Sequence, residues 1–503
     1  MSGKNNSRNL LQRKAQHASD ITFADAFKRA GYATGITGKW KQSRGTIEIP
    51  GKDYLRQFGW DEYCCFDVVK QGRRYFNPSL VINGDIREYG AGIDPATGRR
   101  WYGPDICHRF ALDFIKRHQA EPFFLYYPLT LVHAEDEGKY HVPTPDTVPR
   151  STFDDFDDDV PEQSSQAAAS QKYFPDMIRY TDKLIGEIVD ELNALGLRKN
   201  TVIVIMSDNG TLREFVHVLP GGLRYRGGKG ETTDNGMHVP LVLSLPGTIP
   251  SSSSGGGSTY DGLVDVTDIY PTLCAAAGIV TPNERDLDGF NFWPQLLGKT
   301  GHPRETIYRW YDETINEESD PFSARAVILE FAFDQHYKRY SPQPGFPRGR
   351  FFDLEQDPQE QGGGSSIRGP KFGIIYHSGL DLDRLNAEQQ AAFERLGGVL
   401  AEHRYQPVTN LKISGRGEEV AVGHQAKLDV HILPANATRN NVIWESSNPH
   451  IASVDKFGVV TAHLQGTVKI SVYSWDDAHP LANNTAETFS RKGVTDFITL
   501  HIR

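Results

Sequence analysis

The stretch "VIVIMSDNGT" (residues 202–211) decides how this chain is read. Five apolar, mostly β-branched residues, Val202 to Met206, run into Asp208-Asn209-Gly210. Such side chains fit a pleated surface, and a short continuous apolar run suits a buried strand. The Asp-Asn-Gly that follows has two readings. It is good turn chemistry, because Asp and Asn hydrogen-bond their own backbone and glycine takes positive φ. It also puts a carboxylate and an amide oxygen at the C-terminal end of a strand. Ligands commonly sit at that edge of an α/β sheet, and a hard cation such as Ca2+ or Mg2+ binds oxygen donors of this kind. The triplet alone favours the turn.

The neighbouring segments alternate in type. Residues 176–195 place Ile178, Ile185, Ile188, Val189, Leu192 and Leu195 at helical spacing, with Gly196 as a stop. After the opening strand, "MHVPLVLSLPG" (237–247) is a second apolar run, and "LVDVTDIYPTLCAAAG" (263–278) reads as a turn into a helix. Upstream, "TFADAFKRAG" (22–31) is a short amphipathic helix that Thr22 can cap, with Asp25 three residues on and Gly31 to end it. A strand-like "YATGITG" then delivers Lys39. "RFALDFIKRH" (109–118) is another helix, and "PFFLYYPL" (122–129) is a buried strand ending near His133. This alternation predicts an α/β sheet with helices on both faces. Residues 153–170, acidic and then small, read as a solvated loop, since their spacing fails the EF-hand pattern. Residues 251–262 read as a flexible Ser/Gly connector. The helix at 386–404 closes the first domain. From residue 406 onward, short alternating runs split by Gly, Pro and Asn predict an all-β sandwich.

Composition bounds the function. The chain has 503 residues, 38% hydrophobic and 23% charged, with a net charge of −10. That length supports two to four domains at roughly 100–200 residues each. No basic cluster dominates, which argues against a nucleic-acid surface. No apolar run approaches the ~20 residues of a membrane helix, and the polar N-terminus has no signal-peptide core. The four cysteines, Cys64, Cys65, Cys107 and Cys274, fit neither a zinc spacing nor a disulfide framework and are read as buried thiols.

Three further residues sit where chemistry is expected. Lys229 lies in "RYRGGKGETTDNGMHVP" (224–240), where flanking glycines let a backbone approach an anion and the lysine adds a point charge. It is not a Walker A loop, because Gly230 stands where Ser or Thr is required. Lys39, in "TGKW", ends a strand and can reach the same anion, and His133, in "PLTLVHAED", can donate to an anionic oxygen. Taken singly, each has a plainer reading as a surface lysine or a loop histidine.

Their order along the chain is more specific. "GYATGITGKW", "PFFLYYPLTLVH", "YTDKLIGEIVDELNALGLRKNTVIVIMSDNG", "RGGKGETTDNGMHVPLVL", "VDVTDIYPTLCAAAG" and "FFDLEQDPQEQ" together resemble the sulfatase family of the alkaline-phosphatase superfamily over about residues 20–404. The segments "ILPANAT", "WESSNPHIASVD" and "GVVTAHLQGTVKISV" resemble a bacterial Ig-like domain of group 2. The resemblance implies an alkaline-phosphatase-like sulfatase domain over 1–404, with a C-terminal subdomain at about 305–404, and an Ig-like domain over 406–503. It implies hydrolysis of sulfuric esters, with sulfated glycans as substrate. It makes Asp208 and Asn209 ligands of a divalent cation, usually Ca2+, and Lys39 and Lys229 sulfate-binding residues. It makes His133 a sulfate contact and an acid to the leaving oxygen.

The chain also departs from the family's pattern. Family members carry a formylglycine nucleophile made from Cys or Ser in C/S-x-P-x-R, upstream of the "GYAT…GKW" segment. Residues 1–30 hold no such motif, and the cysteine segments "CCFDVV", "CHRFAL" and "CAAAGI" fail it too. The family's first strand, with two more aspartate ligands, is missing as well. Lys41 stands where a histidine is usual, and Asp234 and His238 stand where an acidic residue and an arginine follow the lysine loop. The expectation is therefore an N-terminally incomplete sulfatase, inactive as the chain stands, whose full-length version would be periplasmic or extracellular. Loss of the strand should expose apolar surface and unpaired backbone groups, each costing about 1–3 kcal/mol if buried, and leave the chain poorly stable or remodelled. Two rival readings remain: a non-catalytic protein that binds sulfated glycans, and a phosphate-ester hydrolase of the same superfamily. The sequence fixes no oligomeric state.

Overall fold

The computed structural model describes residues 1–5, 8, 16, 19–40, 42, 54–66, 68, 73–134, 141–146, 173–213, 215–218, 221–222, 224–251, 257–281, 287–312, 328–369, 374–404, 406–415, 419–474 and 494–503. Lys41, the acidic stretch 153–170 and part of the Ser/Gly connector lie outside them.

The first helix, α1 (Phe23–Arg29), forms where its caps predict. The Thr22 side chain accepts from the Asp25 amide, and the Asp25 carboxylate accepts from the Thr22 amide, a closed capping box. Phe23, Ala26 and Phe27 bury one face of it. The chain then enters β1 (Ala33–Lys39), which is buried throughout its middle. It pairs in parallel with β2 (Glu62–Phe66) on one side and β5 (Phe123–Tyr126) on the other. β3 (Ser79–Ile82) and β4 (Asp85–Glu88) extend the sheet antiparallel beyond β2, giving the order β4-β3-β2-β1-β5.

Both faces of this sheet are covered, and β2 shows how. Tyr63 and Cys65 join a core with α1 and α4 (Ile269–Ala276), while Cys64 and Phe66 join Ile106 and Cys107 of α2 (Gly103–Arg117). Adjacent strand residues point to opposite faces, so "YCCF" is apolar at every position. All four cysteines are buried, as expected, and none forms a disulfide. α2 starts six residues before the predicted helix, because Pro104 in its first turn is tolerated there.

α3 (Phe174–Ala194) ends at Gly196 as predicted, but its buried line differs. Met177, Tyr180 and Leu184 pack on Tyr75, Tyr102 and Leu131; of the predicted aliphatic line Leu192 is buried, Ile185, Ile188 and Val189 are half-buried, and Ile178 is 47% exposed. The partner across the helix is aromatic, and the mixed Met/Tyr/Leu line meets it better than the aliphatic one.

The largest difference from expectation concerns the opening strand. β6 (Ile203–Met206) is half exposed rather than buried. Among the described residues it pairs only with β9 (Leu241–Ser244), antiparallel, and the five-stranded sheet ends at β5. Ile205 and Val242 face each other across this ribbon and are 37% and 52% exposed. Two short strands, β7 (Val216–Val218) and β8 (Arg224–Arg226), lie between β6 and β9 in the chain and form a hairpin.

Residues 307–353 form an antiparallel sheet, β10 (Ile307–Asp312), β11 (Ile328–Phe333), β12 (Tyr337–Tyr340) and β13 (Arg350–Asp353). α5 (Ala387–Glu402) lays Ala392, Leu396 and Leu400 on it. After α5 come two four-stranded sheets from residues 410–502 around Leu428, Val460, Ile470 and Leu500, a β-sandwich as predicted. This sandwich touches the first domain through Lys456, whose ammonium is 2.7 Å from Asp25 Oδ2 and 2.8 Å from the Gln57 carbonyl oxygen. Arg29 lies over the Phe457 ring beside it. No helix among the described residues is long and apolar enough to cross a membrane.

Candidate functional site

The ends of β1 and β6 and the loops after β5 and β8 bring the predicted residues together. Lys39, the last residue of β1, has its ammonium 3.7 Å from Asp208 Oδ2. Gly38 fixes how this end is built. Its φ is +116°, and a Cβ there would stand 2.1 Å from the Pro128 carbonyl oxygen. The Lys39 amide donates to that same oxygen at 2.8 Å, which ties the end of β1 to the loop carrying His133.

Asp208 and Asn209 follow β6 on an open turn. The Asp208 side chain is 69% exposed. The Asn209 side-chain amide donates to the Gly210 carbonyl at 2.9 Å. Gly210 is required by packing, since a Cβ there would meet the Asn235 carbonyl oxygen at 2.0 Å. The Lys229 amide donates to Thr211, so the glycine-rich loop lies directly on the Asp208 turn.

His133 lies within the field of three cations. Its Nδ1 is 2.6 Å from the Ala134 carbonyl oxygen and 3.0 Å from Arg74 Nη1. A carbonyl only accepts and a guanidinium only donates, so Nδ1 serves one of the two partners at a time: protonated it donates to Ala134, unprotonated it accepts from Arg74. Burial, then Lys229, and also Arg74 and Lys39, push the His133 pKa down to about 3. The ring is neutral at physiological pH. Burial also lowers the Lys229 pKa, with Lys39 and Arg74 adding to the effect and Asp208 opposing it. Lys39, Arg74, Lys229 and His133 thus form one electrostatic group, with Asp208 acting on its two lysines.

Arg74 was not among the sequence candidates. It is buried, 5% exposed, with its guanidinium 5.4 Å from the Phe66 ring centre. It stands in "QGRRYFNP" with no periodicity or motif around it, so nothing local marks it. His238 is not drawn into the group. It is exposed and pairs with Asp234 at 3.3 Å, and that bond raises its pKa. Asp234 is held in turn by the Tyr225 hydroxyl at 2.7 Å. Burial pushes the Cys65 thiol well up and Cys274 up to about 11, whereas the hydrogen bond with Cys64 lowers the pKa of Cys107, and all four side chains are buried.

A divalent cation fits these residues poorly. No group of three or more His, Cys, Asp or Glu side chains converges among the described residues. Asp208 and Asn209 supply two oxygen donors where Ca2+ takes six to eight. The nearest charged neighbour of the carboxylate is the Lys39 ammonium.

The family model named Sulfatase matches residues 2–279. The chain belongs to the sulfatase family. A model for the bacterial Ig-like domain (group 2) matches residues 407–480 of the chain. Among curated relatives it is similar to arylsulfatase A of Bos taurus, 27% identical over 369 residues, covering 68% of this chain and 66% of the relative. It is also similar to N-acetylgalactosamine-6-sulfatase of Canis lupus familiaris, 26% identical over 295 residues, covering 56% and 50%. The chain spans about half to two thirds of the length of these relatives. In structure it is similar to a chain from a glycosaminoglycan-metabolising core locus of Bacteroides thetaiotaomicron, with a TM-score of 0.51 and 20% identity, covering 78% of this chain and 83% of that one. These likenesses establish the alkaline-phosphatase-like sulfatase fold with an Ig-like appendage.

Proposed function

We propose that the group formed by Lys39, Arg74, Lys229 and His133 recognises the sulfate ester of a sulfated carbohydrate. The observation that carries this is the charge pattern: Lys229, Arg74 and Lys39 all act on the His133 ring, and among the described residues the solvent-facing Asp208 carboxylate stands 3.7 Å from the Lys39 ammonium. An ester sulfate offers oxygens that accept from two ammonium groups and a guanidinium fork. Such an anion would offset the cations that hold His133 neutral, so binding would raise the His133 pKa. The ring would then gain the proton that a donor to the leaving oxygen needs. The relatives' names support a sulfated sugar, because N-acetylgalactosamine-6-sulfatases are among them.

Asp208 and Asn209, which fit a divalent cation poorly as they stand, are left out of this reading. The sequence holds no C/S-x-P-x-R. We therefore propose recognition by this polypeptide without turnover on its own. Calorimetric titration with 4-nitrophenyl sulfate and 4-nitrophenyl phosphate, with nitrophenol release followed in parallel, tests the reading. Sulfate-ester binding that Lys229→Met abolishes, with no release, is expected. Preference for the phosphate ester would move the site to the phosphate-ester class, and release of nitrophenol would overturn the claim of binding without turnover.

A further inference from the structure

The loop from Gly227 to Thr233 belongs to no helix or strand, yet it carries Lys229. Its shape is set from outside. On one side its amides reach the first domain: Gly227 donates to the Phe215 carbonyl at 2.7 Å and Lys229 to the Thr211 carbonyl at 2.9 Å. Glu231 is clamped on that side by Arg226, at 2.7 and 2.8 Å, and by Arg213 at 3.1 Å. On the other side its carbonyls face the sheet β10–β13. The Tyr311 hydroxyl donates to the Gly230 carbonyl at 3.3 Å, next to Lys229. The Lys338 ammonium donates to the Thr232 carbonyl, and the Tyr340 hydroxyl is 2.9 Å from Thr232 Oγ1.

Lys338 and Tyr340 are themselves held by one carboxylate. Glu360 Oε1 is 2.6 Å from the Lys338 ammonium, and Oε2 accepts from the Tyr340 hydroxyl at 2.6 Å. Lys338, Tyr340 and Glu360 are 2%, 0% and 3% exposed. The Phe331 and Tyr340 rings line the ammonium at 4.4 and 4.9 Å. A buried Lys–Glu pair is a weak source of net stability, because desolvation offsets most of the attraction. An apolar pair would fill the same space. What an apolar pair could not do is aim donors at a loop's carbonyl and hydroxyl groups.

We infer that Glu360, Lys338 and Tyr340, together with Tyr311, are positioning residues that set where the Lys229 ammonium stands. The sheet β10–β13, with Glu360 from the segment after it, thus acts on the anion group through the loop. The inference rests on the proposed reading of Lys229 as an anion contact.

The test uses the full chain with two variants that each remove one hydroxyl, Tyr311→Phe and Tyr340→Phe, and a third, Glu360→Gln. Amide hydrogen exchange and calorimetric titration with inorganic sulfate are measured on each. Exchange at Lys229 and Glu231 is expected to rise about tenfold, roughly the loss of one hydrogen bond, while Ile36 and Thr37 in β1 stay unchanged. Sulfate affinity is expected to fall about fivefold in the same variants. Unchanged exchange in the loop overturns the inference, as does an equal rise in β1, which would mean general destabilisation. A loosened loop with unchanged sulfate affinity overturns it as well. If the unsubstituted chain binds no sulfate, the reading of the anion group fails, and exchange alone decides the brace by the same two outcomes.

Discussion

β1 and β6 do the same job in opposite surroundings. Each ends on a charged residue of the anion group, Lys39 in one case and Asp208 in the other. β6 is the better strand by composition, "IVIM" against "ATGITGK". Yet β1, with two glycines and an alanine, is the central strand, paired on both sides and buried through its middle. β6 is paired on one side and half exposed. The difference teaches that β-propensity measures fit to neighbours, and the neighbours are assigned by tertiary structure. It also gives the two charges unequal footing. Lys39 is fixed by its own amide bond to Pro128, while Asp208 hangs from a ribbon whose outer residues face solvent.

The sharpest test of this contrast is Gly38→Val. Strain at positive φ and collision with the Pro128 carbonyl should cost more than ~3 kcal/mol, and loss of a cooperative urea transition is expected. A variant that unfolds like the parent would show that the end of β1 can move, and the contrast would collapse. Next is a matched pair. Ile36→Ala, in the buried centre of β1, should cost about 2–5 kcal/mol, and Ile205→Ala about 1 kcal/mol or less. Equal shifts in urea midpoint would mean that the ribbon is as well covered as the sheet.

The anion group gives a pH signature. His133 titrates at about 3 in the folded chain and near 6.5 when unfolded. Between those values the unfolded state binds more protons, so stability should fall as pH drops from about 6.5 toward about 3. Lys229→Met removes one of the cations responsible, so the His133 pKa should rise and the loss on acidification should shrink. Melting temperatures across that range, compared between the two chains, measure it, and parallel curves would separate His133 from Lys229. The smallest effect belongs to His238, which is exposed and paired with Asp234. Its raised pKa means that its contribution is present at low pH and fades as pH rises through the folded value. His238→Ala should shift stability by no more than ~0.5 kcal/mol in a urea titration at pH 7.

Much of the architecture was legible because its signals are local. The Thr22/Asp25 capping box, the Gly196 stop and the alternating runs after residue 406 each lie within a few residues of what they specify. The lysine, histidine and aspartate positions were legible as an ordered set of segments, though weak one by one. Arg74, Lys338 and Glu360 were not, because their roles depend on partners 59, 106 and 22 residues away. Exposure of β6 was also hidden, since burial of a strand depends on what lies beside it.

The sequence by itself determined the element types, the β-sandwich at the end and the identities of Lys39, His133, Asp208, Asn209 and Lys229, because backbone propensity and side-chain chemistry travel with the residue. The tertiary structure alone decided that glycine-rich β1 is the centre and apolar β6 the edge. It also lowered the His133 pKa, by partly burying the ring and placing Lys229, Arg74 and Lys39 near it, and it let Lys338 and Tyr340, held by the buried Glu360 carboxylate, reach the loop of Lys229. Burial and electrostatic fields are properties of the assembled neighbours, and no stretch of the chain carries them alone.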